Sequence, residues 1–299
     1  MTNDEMTNDH LTNRPKTTRR TLLAVFAHPD DESFGTGGTL ARYAAEGVRV
    51  VLACATLGEA GEVKDPSLGT REQLAEIRER ELRCACDVLG ISELHLLGYR
   101  DSGMAGSPDN DDPRALVQAD PAEVVGKIVR VIRQVRPQVV ITFEEGGGYG
   151  HPDHIAIHHH TVAGFQAAGD PSQYPEHRAE GLEPHVPQKL YFTILPRRFF
   201  RGLAQYLKEM GFADRLADFD WESRGVPDEL CAFEIDVSAY VDVKLQAFQC
   251  HRSQLSHNGP FSLIPPEVRW DFMSTECFSL AGSRLEAGQK TETDLFASL

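Results

Sequence analysis

Short apolar runs alternate with helical segments through the first half of the chain. This alternation limits the number of folds that the chain can adopt. Four runs are predicted as buried strands, at residues 21–27, 48–55, 94–97 and 139–143. Segments with helical periodicity lie between them, at residues 37–46, 70–89 and 121–135. Strands that are joined by helices form parallel βαβ units. The pattern therefore predicts an α/β fold with a Rossmann-like, doubly wound and mainly parallel sheet.

The second half of the chain has a less regular pattern. Residues 170–187 are rich in proline, glycine and charge and are predicted as a linker. A strand at 189–195 and helices at 197–211 and 239–252 should follow, with Ser238 as the N-cap of the last helix. Residues 1–18 repeat MTND and lack periodicity, which predicts a disordered tail. We therefore expect a tail at 1–18, a Rossmann-like catalytic core at 19–169, and a smaller part at 170–299 that completes the sheet and the substrate pocket.

Composition excludes several classes of partner. The formal net charge is −15 and the basic residues form no stripe, so we expect neither nucleic acid nor a membrane surface as a partner. The apolar run after Arg19 and Arg20 is short and has no small-residue cleavage site, so it is interpreted as a strand. The six cysteines form no CxxC pair, which predicts reduced thiols in a cytoplasmic protein. The sequence does not decide between a monomer and a homo-oligomer.

Polar clusters follow the first and the fourth predicted strands. The first is His28-Pro29-Asp30-Asp31-Glu32, and the second is GGGYGHPDH at residues 146–154. In open α/β sheets, ligands bind beyond the carboxyl ends of the strands, so the fold should bring both clusters to one rim. Histidines and carboxylates in this number are the donors of a His₂-carboxylate zinc site. The sequence therefore predicts a catalytic zinc centre, with iron(II) as the alternative ion.

Each cluster also has a purely structural interpretation. His28 to Asp31 is compatible with a turn that caps the next helix, and Pro152-Asp153 with an ordinary helix start. The occurrence of both clusters after strands of one sheet favours the metal. Zinc lowers the pKa of a bound water to about 7, and a spare carboxylate can then take its proton. Spacing alone does not decide which of Asp30 and Asp31 binds the metal and which acts as the base.

Both motifs resemble those of the LmbE-like, or PIG-L-like, family of zinc-dependent N-deacetylases. Further stretches resemble the branch that deacetylates N-acetylglucosaminyl-inositol in mycothiol synthesis, namely TLGEAGEV at 56–63, RDSGMAG at 100–106 and GGYGH at 147–151. The resemblance covers most of residues 21–165, is weak between 170 and 290, and returns at Glu292-Thr293-Asp294-Leu295. It implies an enzyme that removes an N-acetyl group from a small-molecule amino-sugar conjugate.

The resemblance assigns the metal ligands and the base. It implies that His28, Asp31 and His154 bind zinc. It makes Asp30 the general base that activates the metal-bound water.

The same resemblance implies roles for five other residues. His151 would stabilise the oxyanion and protonate the leaving amine, with Asp153 orienting it and keeping it cationic. Tyr149 would be a mobile contact to the acyl oxygen. Arg78 and Asp101 would hold sugar hydroxyls.

Two other histidines need separate interpretations. His158 follows His154 by four residues on a predicted helix, so the two form an alternative metal-binding pair. That pairing would give His28 and Asp31 no role in metal binding. His251, in the stretch CHRSQ, resembles a C-terminal pattern of the family and is interpreted as a packing or capping residue.

Other functions remain open at this point. Within the same chemistry, the alternatives are a bacillithiol-pathway deacetylase, a mycothiol S-conjugate amidase and a deacetylase of a glycosylated natural product. A different class is a non-catalytic Rossmann-like binding module. That class predicts ligand binding without metal and without turnover.

Overall fold

Strands and helices alternate along most of the chain, as the bounds below show. The computed structural model describes residues 19–212, 224–255, 264–285 and 294–299, so the predicted tail and residues 292–293 lie outside it. The strands are β1 (Thr21–Phe26), β2 (Arg49–Cys54), β3 (Glu93–Leu96), β4 (Val139–Phe143), β5 (Lys189–Ile194), β6 (Phe233–Asp236) and β7 (Thr275–Ser283). The helices are α1 (Asp31–Phe34), α2 (Gly37–Ala45), α3 (Leu74–Leu89), α4 (Pro121–Val135), α5 (Gly147–Gly150), α6 (Pro152–Ala167), α7 (Glu176–Ala179), α8 (Arg197–Glu209), α9 (Val241–Cys250) and α10 (Pro266–Met273).

All seven strands belong to one open sheet with the order β3-β2-β1-β4-β5-β7-β6. The first five pair in parallel, with Leu22 of β1 opposite Val50 of β2 and Val139 of β4. Strand β7 runs antiparallel to both β5 and β6. Helices cover both faces of the sheet, so the predicted Rossmann-like, mainly parallel α/β fold is confirmed.

The central strands are apolar because the sheet is covered on both faces. Every side chain of β1 and of β4 is buried. Parallel strands in this position need continuous apolar runs, since neither face meets water. On the helices the buried residues recur every three or four positions, as at Val124, Ile128 and Ile132 of α4. This difference in period is what makes the first half of the sequence easy to interpret.

The sheet changes its winding direction between β1 and β4. Strands β2 and β3 lie on one side of β1, whereas β4 and β5 lie on the other. At such a switch point the chains that leave the two carboxyl ends diverge and open a crevice between them. Residues 27–31 follow β1 and residues 144–154 follow β4, so both polar clusters border this crevice.

The C-terminal third differs from prediction in several details. Strands β6 and β7 were not foreseen, and α7 lies within the predicted linker. Helix α9 begins only at Val241, after a single turn over Ser238–Tyr240, so Ser238 is not its N-cap. Strands β7 and β6 lie at the far edge of the sheet, where β7 reverses direction. The alternating burial of β6 replaces the continuous apolar run of the central strands.

Four of the six cysteines are paired, contrary to the prediction of reduced thiols. Cys84 of α3 is bonded to Cys250 of α9, and Cys231 is bonded to Cys277 of β7. Cys84 and Cys250 are 166 residues apart in sequence, so spacing gave no sign of the pair. Cys54 and Cys86 are free and buried. Among the helices that the structure describes, none has the length and apolar character needed to cross a bilayer.

Candidate metal centre and catalytic groups

The turn after β1 sends two adjacent carboxylates in different directions. Asp30 has φ 103°, in the left-handed region. A residue other than glycine in such a conformation costs about 1–3 kcal/mol and persists only where its surroundings hold it. The Asp31 carboxylate consequently faces His28 and His154, while Oδ2 of Asp30 lies 3.1 Å from Nη2 of Arg78.

The loop after β4 brings the backbone close to the second cluster. The Glu144 carboxylate accepts hydrogen bonds from the N–H groups of Gly146 and Gly148, at 2.6 and 2.5 Å. Gly147 has φ 65°, and a Cβ there would lie 2.7 Å from the Cβ of His154. Only glycine permits this approach, which lets the Gly147 carbonyl lie 3.1 Å from Nδ1 of His154.

Three of the predicted ligands converge on one point. Nδ1 of His28 lies 3.1 Å from Nε2 of His154. The Asp31 carboxylate oxygens lie 3.7 Å from the first nitrogen and 3.3 Å from the second. Ligand atoms bound to one tetrahedral zinc ion at about 2.0–2.1 Å are roughly 3.3 Å apart. The spacing of the three side chains therefore fits a single bound ion.

Hydrogen bonds on the far side of each ring indicate which nitrogens are free to bind it. Nε2 of His28 lies 3.1 Å from Oδ2 of Asp153, so we assign its proton to Nε2. Nδ1 of His154 faces the Gly147 carbonyl, so its proton is assigned to Nδ1. The two nitrogens that face each other then carry lone pairs, and the Asp31 carboxylate is a third acceptor. Three acceptors around one point favour a cation between them, either a shared proton or a metal ion.

The surroundings also favour positive charge at this point. Burial lowers the pKa of His28, but hydrogen bonds to Asp101 and Asp153 and the charge of Asp31 outweigh it and raise that pKa to about 10. Burial and the charge of His28 hold the pKa of His154 well below its usual range. One histidine therefore lies in a strongly cation-favouring field while the other stays neutral. A protonated His28 has to lose its Nδ1 proton before it can ligate an ion, so metal binding at this point would release a proton.

Asp153 serves a different histidine from the one predicted. Its carboxylate lies 3.1 Å from Nε2 of His28 and accepts hydrogen bonds from the N–H group and the hydroxyl of Ser102. Its hydrogen bond with His151 is made by the backbone, because the N–H of Asp153 donates to Nδ1 of the ring at 3.1 Å. The predicted orientation of His151 by this carboxylate is therefore not what the structure shows. Asp153 forms a carboxylate–histidine pair behind the metal position.

We expect Asp153→Asn to weaken metal binding by about 10–100-fold, the usual effect of losing such a carboxylate. The reason is that a neutral amide accepts a weaker hydrogen bond from the Nε2–H of His28. The Nδ1 lone pair of the ring is then a weaker ligand for the metal. Competition with a chelator measures the affinity. Unchanged affinity together with a downward shift of the basic limb of the pH–rate profile would instead support the predicted role beside His151.

The surroundings of His151 oppose the cationic form that the resemblance implies, and its predicted role stays a prediction. Burial and the charges of His28 and His154 lower the pKa of His151 to about 3, which outweighs the opposing effect of Asp153 and Asp101. Because Nδ1 accepts from the backbone, the proton of the neutral ring resides on Nε2. Nε2 lies 3.9 Å from Oδ1 of Asp101. His151 therefore offers the crevice a neutral N–H donor.

Asp30 lies at the wall of the crevice with a basic neighbour beneath it. Its side chain remains 31% exposed. Burial of the carboxylate nevertheless raises the pKa of Asp30 to about 6, with Arg78 opposing the shift and Asp31 adding to it. Arg78 is buried and also donates to the carbonyls of Gly58 and Pro29. These contacts make Arg78 a support for the turn, and its predicted contact with sugar hydroxyls stays a prediction.

The other two predicted substrate contacts occupy different settings. Asp101 is buried, with Oδ1 accepting from the Gly103 N–H at 2.8 Å and lying 3.4 Å from Nε2 of His28. Its contact with a sugar hydroxyl also stays a prediction. Tyr149 is 46% exposed, and its ring centroid lies 5.0 Å from that of His154. The side chain of Tyr149 is thus more accessible to solvent than that of Asp101.

A cavity of about 220 Å³ opens over Asp30, Asp31 and His154. Its lining includes Asp30, Asp31, Phe34, Gly35, Phe143, Gly147, Gly148, Tyr149, His154, Thr193, Leu195 and Phe248. Thr193 of β5 and Phe248 of α9 come from the C-terminal part of the chain. The hydroxyl of Thr193 is buried and is one of the polar atoms without a hydrogen-bond partner in the described residues. Such a group is suited to bind a polar substrate atom.

Sequence reasoning missed four of the supporting residues, namely Glu32, Ser102, Thr193 and Glu144. Glu32 belongs to the first polar cluster, so its position beside the two aspartates was an available signal. Ser102 lies in the stretch RDSGMAG, which was a second available signal. Thr193 and Glu144 carry no motif signal, because their contacts depend on segments that meet only in the folded chain.

The alternative pairing of His154 with His158 does not fit the geometry. Nδ1 of His158 lies 2.8 Å from the Phe143 carbonyl, and the ring packs against Phe192. None of the possible ligand clusters within the described ranges includes His158; they are His28 with His151 and His154, His28 with Asp101, His151 and Asp153, and Cys231 with Glu234 and Cys277. His158 is therefore a buried, hydrogen-bonded core histidine.

Comparison with known proteins places the chain among deacetylases. Residues 23–165 match the family model described as PIG-L, GlcNAc-PI de-N-acetylase. A relative from Geodermatophilus obscurus, a 1D-myo-inositol 2-acetamido-2-deoxy-alpha-D-glucopyranoside deacetylase, is 42% identical over 296 residues, which is 95% of this chain and 99% of the relative. That match includes the divergent C-terminal third and is not confined to the motifs.

Solved structures share the architecture at lower identity. The N,N'-diacetylchitobiose deacetylase of Pyrococcus horikoshii is 20% identical with a TM-score of 0.59, over 87% of this chain and 83% of that one. A 4-carboxy-2-hydroxymuconate hydratase of Pseudomonas putida KT2440 is 18% identical with a TM-score of 0.58, over 91% and 100%. Two reactions on one fold show that architecture alone does not determine the chemistry. The relative that is 42% identical over nearly the full length decides the question, and the chain belongs to the PIG-L family of GlcNAc-PI de-N-acetylases.

Proposed function

We propose that the chain is a zinc-dependent deacetylase that hydrolyses the acetamide of N-acetylglucosaminyl-inositol. The observation that carries the proposal is the convergence of His28, Asp31 and His154 on one point, with the separate carboxylate of Asp30 beside them. The choice of sugar conjugate is supported by the 42% identical relative, which is named for that activity.

His28, Asp31 and His154 would hold the ion, with iron(II) as the alternative to zinc. When bound, the ion supplies Lewis-acid chemistry, polarising the acetyl carbonyl and lowering the pKa of a water. Asp30 takes a proton from the attacking water. The products are acetate and a free amine, so the leaving nitrogen must gain a proton.

The protonated Asp30 is the better source of that proton. A neutral imidazole is a far weaker acid than a carboxylic acid, and burial with the charges of His28 and His154 lowers the pKa of His151 to about 3. The Nε2–H of His151 instead donates a hydrogen bond to the oxyanion that develops as water attacks. Tyr149 and the hydroxyl of Thr193 line the same cavity and would contact the acyl oxygen and the sugar. Arg78 and Asp101 would contact sugar hydroxyls at its margin.

A panel of substrates tests the proposal through release of free amine. The panel holds N-acetylglucosaminyl-inositol, its malate counterpart and a mycothiol S-conjugate, each with the zinc-loaded protein. Preference for the inositol compound supports the proposal. Preference for either of the others assigns the bacillithiol-type or the amidase alternative, and binding without turnover assigns a non-catalytic module.

We expect His151→Ala to lower kcat by about 10²–10³-fold while the bound metal is retained. The expectation follows from removal of one preorganised donor to the oxyanion, which typically has that effect. Steady-state kinetics with saturating zinc and a metal assay give the two measurements. Loss of the metal in this variant would place His151 among the ligands.

A further inference from the structure

A segment that the proposed reaction does not use lies directly behind the catalytic turn. The residues 251–254, which follow α9, touch three separate parts of the core. Nε2 of His251 lies 2.7 Å from Oε1 of Glu32. The N–H group and the hydroxyl of Ser253 each donate to the Glu81 carboxylate at 2.7 Å. Gln254 donates to the Glu62 carbonyl at 3.1 Å.

Glu32 connects this segment to Asp30. One of its oxygens, Oε1, faces His251, and the other, Oε2, accepts the backbone N–H of Asp30 at 3.0 Å. The side chains of Glu32 and His251 are both essentially inaccessible to solvent. Glu32 therefore has no freedom to reorient toward water. His251 and the Ser33 hydroxyl, which donates to Oε1 at 2.5 Å, hold the carboxylate whose other oxygen accepts from Asp30.

The held residue is the one with the strained backbone. Asp30 has φ 103°, and its N–H bond to Glu32 belongs to the same turn. The separation of the two adjacent carboxylates depends on this conformation, because it directs Asp31 to the histidines and Asp30 to the cavity wall. A small rotation at residue 30 would move the base while leaving the ligands in place.

We propose that His251 and Glu32 form a positioning pair that holds Asp30 in its catalytic orientation. The inference rests on the proposed function and deepens it. His251 lies 219 residues beyond Glu32 in the sequence, so the catalytic turn is completed only when the C-terminal part of the chain is packed against the core. Neither residue touches the substrate cavity, and each acts through the backbone of Asp30.

Three variants of the full-length, zinc-loaded protein test the pair. His251→Phe keeps a ring of similar volume but has no donor for Glu32. His251→Gln places an amide N–H near the position of Nε2 and restores the hydrogen bond. Ser253→Ala is the matched control, because it removes a buried contact of the same segment without touching Glu32 or Asp30.

We expect His251→Phe to lower kcat by up to about 10²-fold, the scale on which small misplacements of a catalytic group act. KM and metal content should stay near those of the wild type. His251→Gln should recover most of the lost kcat. Ser253→Ala should lower the melting temperature and leave kcat unchanged. Should His251→Phe fail to fold, Glu32→Gln replaces it, because the amide has one acceptor oxygen in place of the two that face His251 and the Asp30 N–H.

Other outcomes overturn the inference. Unchanged kcat in His251→Phe, or in Glu32→Gln where that variant stands in, contradicts it. An equal fall of kcat in Ser253→Ala, or no recovery in His251→Gln, shows that the segment acts only through stability. Crystal structures of wild type and His251→Phe give a readout that does not need activity. A displaced Asp30 carboxylate supports the pair, and an unmoved one contradicts it, even if the wild type deacetylates none of the panel and the proposed function itself fails.

Discussion

Replacing His154 with alanine is expected to reduce bound zinc to background. The proposed site has three protein ligands, and a catalytic zinc site of this type has no spare donor to replace one. The loss also leaves the lone pair of His28 and the Asp31 carboxylate without a shared cation. His28→Ala and Asp31→Ala should behave in the same way. Metal analysis after dialysis against a chelator measures the loss, and circular dichroism checks that each variant is folded.

His158→Ala is the matched control, since it removes a buried histidine from the same helix. His158 donates to a backbone carbonyl and should leave the metal in place. The assignment of ligands fails if His154→Ala keeps full occupancy. Loss of zinc in His158→Ala would revive the pairing of the two histidines that are four residues apart on α6.

Asp30→Asn should retain zinc and lose about 10²–10⁴-fold in turnover, the range attributed to a positioned general base. The amide keeps the shape of the side chain but cannot accept a proton. Asparagine also tolerates the left-handed backbone better than most residues, so the turn should persist. The kinetic constants and the metal content, measured on one preparation, separate loss of the base from loss of the ion. Turnover close to that of the wild type would mean that the proton goes elsewhere.

The sheet could be predicted as far as its strands are central. Strands β1, β2 and β4 are covered on both faces, so their apolar runs stand out from the helical periodicity around them. Strands β6 and β7 escaped prediction because β7 reverses direction and β6 is buried on one face only. Pairing of this kind is decided by contacts between distant parts of the chain, which local patterns do not record.

The site was predictable where chemistry follows directly from a strand end. His28, Asp31 and His154 lie where the motifs put them, since β1 and β4 are neighbours in the sheet. The protonation of His151 was not predictable, because it depends on how deeply the ring is buried and on two histidines nearby. The hydrogen-bond partner of the Asp153 carboxylate was not predictable either, since the rings of His28 and His151 both lie near it.

Asp30 occupies a backbone conformation that glycine adopts without strain. A design procedure that optimised folding free energy alone would place glycine at position 30. This change would remove the backbone strain of the turn and the partly buried carboxylate. The resulting protein would be the more stable one, and it would lack the carboxylate that we propose as the general base. Predicted folding stability is therefore a misleading criterion at this position. A stabilised version of the enzyme has to keep aspartate at position 30 even though glycine would lower the free energy of the folded chain.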